Sequence, residues 1–342
     1  MQQGRASSMS GFPVTLTRLI IQKQSEYPGA TGEFSSLMAQ IGVAGKMIAH
    51  DLRRAGLINV LGYTGRTNVQ GEAVKKLDQI ANETMVKVFE HSGLVCVLAS
   101  EEIDQPVSLA ENWPAGKYSV LFDPLDGSSN TDVNMPLGTI FSVFRCAAGD
   151  VPPAPSDVIR KGTEQIAAGY LMYGWSTMLV LTFGRGVHGF TLDPNLGEYV
   201  LSHENIRIPQ KGKIYSANEG NAGKWSSGTR QFLDYVKTSD KPTGRPYSAR
   251  YSGCLVADVH RILLGGGVFL YPGEVAKPDG KLRLLYEANP LAMVVEQAGG
   301  RATTGTMRIL DVEPKTLHQR TPLVIGSPEE VALAEAFIQG RR

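Results

Sequence analysis

Apolar positions along the chain fall first into a helical rhythm and then into short unbroken runs. From Thr31 onward, Phe34, Leu37, Met38, Ile41, Ile48 and Leu52 share one helical face. That stripe predicts an amphipathic helix with Thr31 as its N-cap and Gly56 as its stop. A second stripe, Val74, Leu77, Ile80, Met85 and Val88, ends before Gly93. Beyond it, Leu94 to Ala99, Ser119 to Phe122 and Gly138 to Phe144 are runs short enough to be buried strands. Gly169 to Tyr173, Thr177 to Phe183, Val187 to Leu192 and Glu198 to Leu201 follow closely, broken by Gly, Asp, Pro and Asn, as antiparallel neighbours would be.

The pattern changes after about Arg207, where helical and strand signals alternate. Leu255 to Leu264 predicts a helix, Val268 to Tyr271 a strand, and Asn289 to Ala298 a helix stopped by Gly299 and Gly300. Ala147 to Pro155, with three prolines, reads as a surface loop and not a domain boundary. No internal repeat is evident. A chain of 342 residues exceeds what one core usually serves. The expectation is an α/β protein of two subdomains, residues 11–206 and 207–338.

Composition narrows the partners. Lys and Arg total 34 against 33 Asp and Glu, a net charge of +1, which gives no reason to expect nucleic acid or an anionic membrane. No apolar run reaches transmembrane length. Met1 to Gly11 lacks an apolar signal core and reads as a floppy extension or expression remnant, with Met9 an alternative start. Cys96, Cys146 and Cys254 are odd in number and form no CxxC pair. They are expected as buried or inert thiols, with neither a disulfide framework nor a zinc site, which fits a reducing cytosol.

The chemistry gathers at two strand ends. One run delivers Glu101 and Glu102; another delivers Asp123-Pro124-Leu125-Asp126-Gly127-Ser128-Ser129. If the strands are neighbours, four carboxylates meet at one sheet edge and repel unless hard cations lie between them. Carboxylates with a backbone carbonyl suit Mg²⁺ or Mn²⁺, not zinc, and the six histidines show no ligand spacing. His260, inside an apolar helix, reads as structural. The Gly127-Ser128-Ser129 turn can hold a phosphate with successive N–H groups and hydroxyls. Metals on one side and a phosphate cradle on the other describe a phosphomonoesterase. Each piece alone is ordinary: Asp-Gly turns are common, and Glu-Glu pairs usually face water. Their conjunction, each after a buried run, carries the argument.

Asp123-Pro124-Leu125-Asp126-Gly127-Ser128-Ser129 resembles the signature of lithium-sensitive, metal-dependent phosphatases. Asn68-Val69-Gln70-Gly71-Glu72, Lys75 to Asp78, Arg250-Tyr251-Ser252-Gly253 and Lys281 to Glu287 narrow the resemblance to class I fructose-1,6-bisphosphatases, from about Thr15 to Pro328. It implies a layered αβαβα sugar-phosphatase fold with mixed sheets. It also implies hydrolysis of D-fructose 1,6-bisphosphate in gluconeogenesis or the Calvin cycle, in the cytoplasm. Glu101, Asp123, Asp126, Glu287 and the Leu125 carbonyl would be metal ligands. Glu102, Asp78 and Glu72 would act on the attacking water. Asp126, Gly127, Ser128 and Ser129 would meet the reacting end of the substrate. Asn218, Tyr251, Tyr271 and Lys281 would hold its second phosphate. In the family an arginine matching Arg250 comes from a neighbouring subunit, which implies a homo-oligomer, by family habit a tetramer. Two departures stand out: Glu72 where the family often has Asp, and Asn221 where animal members have a phosphate-binding Tyr.

The resemblance extends to regulation. Thr31, Gly32, Glu33 and Ser35 match a phosphate-binding helix start, and Lys117, Tyr118 and Arg145 match the rest of an AMP site. AMP is therefore expected as an inhibitor. The cysteine-bearing insertion of chloroplast members is missing, so thioredoxin switching is not expected. Rival functions are a sedoheptulose-1,7-bisphosphatase or dual enzyme, an inositol monophosphatase, and a catalytically silent sensor of sugar phosphate or AMP. Lys281 and Tyr271 anticipate a second phosphate and disfavour the inositol phosphatase. A sensor would have no reason to keep mutually repelling carboxylates.

Overall fold

The computed structural model describes residues 12–24, 32–58, 60–67, 73–109, 116–146 and 155–342. Helices α1 (Leu16–Gln24), α2 (Glu33–Arg54) and α3 (Lys76–Glu90) begin the chain, with a short hairpin of β1 (Tyr63–Thr67) and β2 (Ala73–Lys75) before α3. Thr31 lies outside the described residues, and the N-cap of α2 is Gly32, in the left-handed region at φ 83°. Glycine reaches that conformation at little cost, so Thr31 is not the cap that the stripe predicts. Val74 belongs to β2, not to the following helix.

An eight-stranded mixed sheet follows. It comprises β3 (Val95–Ser100), β4 (Val107–Ser108), β5 (Tyr118–Asp126), β6 (Leu137–Arg145), β7 (Ala167–Tyr173), β8 (Thr177–Thr182), β9 (Val187–Asp193) and β10 (Glu198–His203). Their order is β10-β9-β8-β7-β6-β5-β3-β4, antiparallel except for the parallel pair β3–β5. Alternate side chains serve opposite faces. Leu179 and Leu181 join one core with Leu37, Ile41 and Met85 of α2 and α3, while Val180 joins a second core on the other face.

The second half adds α4 (Ser227–Lys237), α5 (Leu255–Gly265), α6 (Asn289–Gln297) and α7 (Pro328–Ile338). It also adds a five-stranded sheet of β11 (Ile214–Ser216), β12 (Ser248–Ala249), β13 (Val268–Tyr271), β15 (Arg301–Thr303) and β17 (Leu323–Gly326). A small ladder joins β14 (Leu282–Arg283) to β16 (Arg320–Thr321). The second core packs Val256, Val259, Leu291 and Val295 of α5 and α6 between Tyr170 of the large sheet and Phe269 and Ile325 of the small one. Phe232, Leu233, Val331 and Phe337 of α4 and α7 cover the outer face of the small sheet. The layers therefore run α, β, α, β, α.

The cysteines overturn an expectation. Cys96 of β3 and Cys146, just past β6, are joined as a disulfide across 50 residues of sequence. Strands β3 and β6 flank β5, and the Cys146 N–H donates to the Lys117 carbonyl. The sheet register thus closes a pair that linear spacing conceals. Cys254 is the single free cysteine and is buried. No helix among the described residues is long and apolar enough to cross a membrane.

Candidate active site

Strands β3 and β5 are parallel neighbours, with Ser100 paired to Phe122, so their C-terminal ends deliver acids side by side. The Glu101 N–H donates to the Phe122 carbonyl at 3.1 Å, pinning the acidic turn to β5. β5 runs on through Asp126, beyond the expected stop at Phe122. Its pairing with β6 shifts register between Asp123 and Asp126. Pro124 has no N–H to give a ladder, and its carbonyl accepts from the Thr139 hydroxyl at 2.8 Å. The irregularity lets Asp123 and Asp126 serve the same end of the sheet.

Glu287 arrives from a third direction, on a π-helical turn, Leu284–Ala288, that leads into α6. Such bulges often mark functional positions. Asp123, Asp126 and Glu287 are 5%, 8% and 7% exposed. Each offers a carboxylate oxygen within 4.8 Å of the others. Burial pushes the Asp123 carboxyl well above the usual range, and Glu101, Asp126, Glu287 and Glu102 push it further. Burial, then Glu101, does the same to Glu287, partly opposed by a backbone hydrogen bond from Arg283. Asp123, Asp126 and Glu287 thus converge, while Glu101 and Glu102, half-buried, act on Asp123 through their charge. A cluster of buried carboxylates disfavouring its own charge is a donor set that fits a hard divalent cation.

Asp126 has a second allegiance. Its carboxylate accepts from Leu255 N–H at 3.2 Å, Val256 N–H at 2.7 Å and the Cys254 thiol at 3.0 Å, all at the start of α5. The helix's free N–H groups favour that negative charge. Asp126 thus ties the acid turn to the second half of the chain. Gly127 follows at φ 79°, where an added Cβ would come 2.7 Å from Cys254 Cβ. Both the conformation and the space call for glycine.

Asp78 occupies the first turn of α3, where it accepts from Lys75 N–H at 3.0 Å. It also hydrogen-bonds Ser128, and burial, the largest influence, raises its pKa to about 6. Lys75 is buried too, its ammonium donating to Thr131 at 3.0 Å and Asp132 at 2.7 Å. Asn68 to Glu72 lie outside the described residues.

A cavity of 210 Å³ lies beside the acids, lined among others by Asn218, Asn221, Tyr271 and Lys281 with Lys224 and Arg320. Tyr251 connects the two: its hydroxyl hydrogen-bonds Asn218 and feels both Tyr271 and Asp126, with burial first in lifting its pKa to about 12. The site is thus anionic at one end and cationic at the other. Arg250 is exposed, does not line this cavity, and donates to the Ala249 carbonyl of its own chain.

The residues matched to an AMP site make separate local contacts. Glu33 and Lys117 form an exposed 2.6 Å ion pair at the start of α2. Tyr118 pairs with Arg145 across β5 and β6, and its ring meets Phe34 edge-on at 5.9 Å. Ser35 donates to Gln24 at 3.5 Å. His260 fits its structural reading, buried with Nδ1 2.8 Å from the Tyr170 hydroxyl.

Sequence reasoning assigned no role to Arg283, Cys254 or Lys224. Arg283 is 2% exposed, with Nε 3.5 Å from Glu101 and its backbone N–H bonded to Glu287. A charge inside the apolar run Leu282-Arg283-Leu284-Leu285 was the available signal. Cys254 stands 128 residues from the aspartate it contacts, and nothing local announces it.

Residues 14–204 match the family described as the N-terminal domain of fructose-1-6-bisphosphatase, and residues 208–339 its C-terminal domain. The chain is 56% identical over 326 residues to fructose-1,6-bisphosphatase class 1 of Trichormus variabilis, covering 95% of this chain and 92% of that protein. The same-named protein of Chlorobium luteolum is 53% identical over 330 residues, 96% and 99% covered. A crystal structure of Leishmania major fructose-1,6-bisphosphatase in holo form matches with a TM-score of 0.90 at 47% identity, over 96% of this chain and 99% of that one.

Proposed function

This chain belongs to the class 1 fructose-1,6-bisphosphatase family and is a phosphoric monoester hydrolase, and from that premise we propose Mg²⁺-dependent hydrolysis of D-fructose 1,6-bisphosphate to fructose 6-phosphate and phosphate. The supporting observation is the polarity of the site: a buried acid cluster beside a cationic cavity, bridged by Tyr251. A substrate with a phosphate at each end fits that polarity; one with a single phosphate would engage only one end of it.

Glu101, Asp123, Asp126, Glu287 and the Leu125 carbonyl would hold Mg²⁺, with Mn²⁺ a substitute. A cation bound there supplies Lewis-acid polarisation of the phosphoryl group and a more acidic water. Asp78, with its pKa near 6, accepts the water's proton, and Glu102 orients the attack. Glu72 shares that role. Gly127, Ser128 and Ser129 grip the reacting phosphate, with the Ser128 hydroxyl held by Asp78. Asn218, Tyr251, Tyr271 and Lys281 hold the distal phosphate. Arg250, exposed on the single chain, reaches the site of a neighbouring subunit in a homotetramer.

AMP inhibits through Thr31, Gly32, Glu33, Ser35, Lys117, Tyr118 and Arg145. Its phosphate would take Lys117 from Glu33, an exposed pair that costs little to break. The test is phosphate release from fructose 1,6-bisphosphate with Mg²⁺ and with chelator, with sedoheptulose 1,7-bisphosphate run in parallel and AMP titrated. Mg²⁺-dependent release is expected, faster with the fructose ester and falling as AMP rises. No release from either sugar would overturn the activity; indifference to millimolar AMP would remove the effector site alone.

A further inference from the structure

The 210 Å³ cavity carries a cation that the motif residues do not include. Lys224 ends a 3₁₀ turn, Glu219–Lys224, that docks on the hairpin of Glu274 to Lys277. The Val275 N–H donates to the Lys224 carbonyl at 2.8 Å, and Trp225 forms a bridge with Glu274. The backbone is thus fixed at the cavity rim. The side chain is 59% exposed, and its ammonium donates to Asn221 Oδ1 at 3.2 Å and lies 3.6 Å from Glu274.

Two consequences follow from donor chemistry. An ammonium has three N–H donors and no acceptor. By binding the Asn221 carbonyl oxygen, Lys224 leaves the Asn221 amide N–H₂ as the group offered to the cavity, a donor suited to an anion. The same ammonium neutralises Glu274, which otherwise sets a negative charge on the wall of a phosphate pocket.

We propose that Lys224 is a specificity-determining residue for the bisphosphate: it orients the Asn221 amide, and its ammonium exchanges Glu274 for the distal phosphate when substrate enters. The inference rests on the reading of this cavity as the distal-phosphate site. It makes substrate affinity depend on a residue outside the acid cluster, so binding and chemistry separate.

Steady-state kinetics on fructose 1,6-bisphosphate with Mg²⁺ test this in the full-length enzyme. Replacing a charge-assisted hydrogen bond should raise KM about 10- to 30-fold in Lys224→Met, with kcat changed less than about twofold. Competitive inhibition by fructose 6-phosphate, which carries the distal phosphate alone, should weaken in proportion. Lys224→Arg should recover most of the affinity. Glu274→Gln should lower KM, an effect that a merely structural role for Lys224 would not produce. Melting temperatures of the variants should match that of the parent, since the lysine is exposed. A KM within twofold of the parent in Lys224→Met, with the parent active on the bisphosphate, overturns the role of Lys224 and leaves the activity standing. An inactive parent overturns both.

Discussion

Replacing Asp123 by asparagine should make the metal-free protein more stable while abolishing catalysis. The change keeps the shape, and Asn Oδ1 can still accept the Leu125 N–H that now reaches Asp123 at 3.0 Å. It removes one charge from three buried carboxylates whose oxygens lie within 4.8 Å of each other. Two full charges at that distance repel by about 3.5 kcal/mol at an effective dielectric of about 20. Burial and the neighbouring acids raise both carboxyls, so the gain is at most about 3 kcal/mol and is largest at alkaline pH. For 342 residues the unfolding entropy is roughly 0.7 kcal/mol/K, which makes that gain about 4 °C in Tm. The assay is thermal unfolding in chelator and in Mg²⁺, at pH 8 and pH 5.5. In chelator at pH 8 the variant should melt above the parent. At pH 5.5 the difference should shrink, because the parent's carboxyls take up protons. Mg²⁺ should raise the parent's Tm and leave the variant's nearly unmoved. A variant that melts lower in chelator, or that keeps the full Mg²⁺ shift, would show, respectively, that Asp123 does not strain the metal-free site or does not hold the cation.

Three further outcomes follow from the structure. Activity should fall about tenfold per unit as pH drops below about 6, the pKa to which burial lifts Asp78; Asp78→Asn should be nearly inactive across the range, and an unchanged acid limb in it would exclude Asp78 as the base. Burial holds the His260 imidazole down to about 4, so the stability it contributes is present above pH 6.5 and lost as pH falls towards 4, by about 3 kcal/mol in all; melting temperatures of the parent and His260→Gln at pH 7.5 and 5 should converge at the lower pH. The Cys96–Cys146 bond closes 50 residues, which in the chain-entropy picture is worth up to about 4 kcal/mol; alkylation of the unfolded chain before reduction should label Cys254 alone and after reduction all three cysteines, and labelling of three from the start would show that the bond does not form.

Local pattern foretold the parts of this fold that local physics controls. The apolar runs of β3 and β5 named the strands that bear the acids, and parallel pairing then joined Glu101 and Glu102 to Asp123 and Asp126. Where the chain broke its own rules, pattern misled. The apolar run ended at Phe122, yet β5 continues through Pro124 to Asp126, with the Thr139 hydroxyl donating to the proline's carbonyl. The helix α4 went unread although Ser226 accepts from Thr229 N–H as an N-cap should, because its apolar positions Phe232, Leu233 and Val236 are few and lie among polar ones. The disulfide, the hold of Cys254 on Asp126, and the hold of Arg283 on Glu101 and Glu287 depend on long-range register. Spacing along the chain carries no trace of them.

In the proposed mechanism, carboxylates from separate stretches of chain enclose a catalytic divalent cation. Anomalous diffraction from crystals grown with Mn²⁺ and phosphate tests it most directly. A manganese peak bounded by Asp123, Glu287 and the Asp126 turn is expected, with phosphate against Ser128 and Ser129. Crystals of an Mn²⁺-active enzyme in which those carboxylates hold no manganese, or in which the metal binds elsewhere, would contradict it.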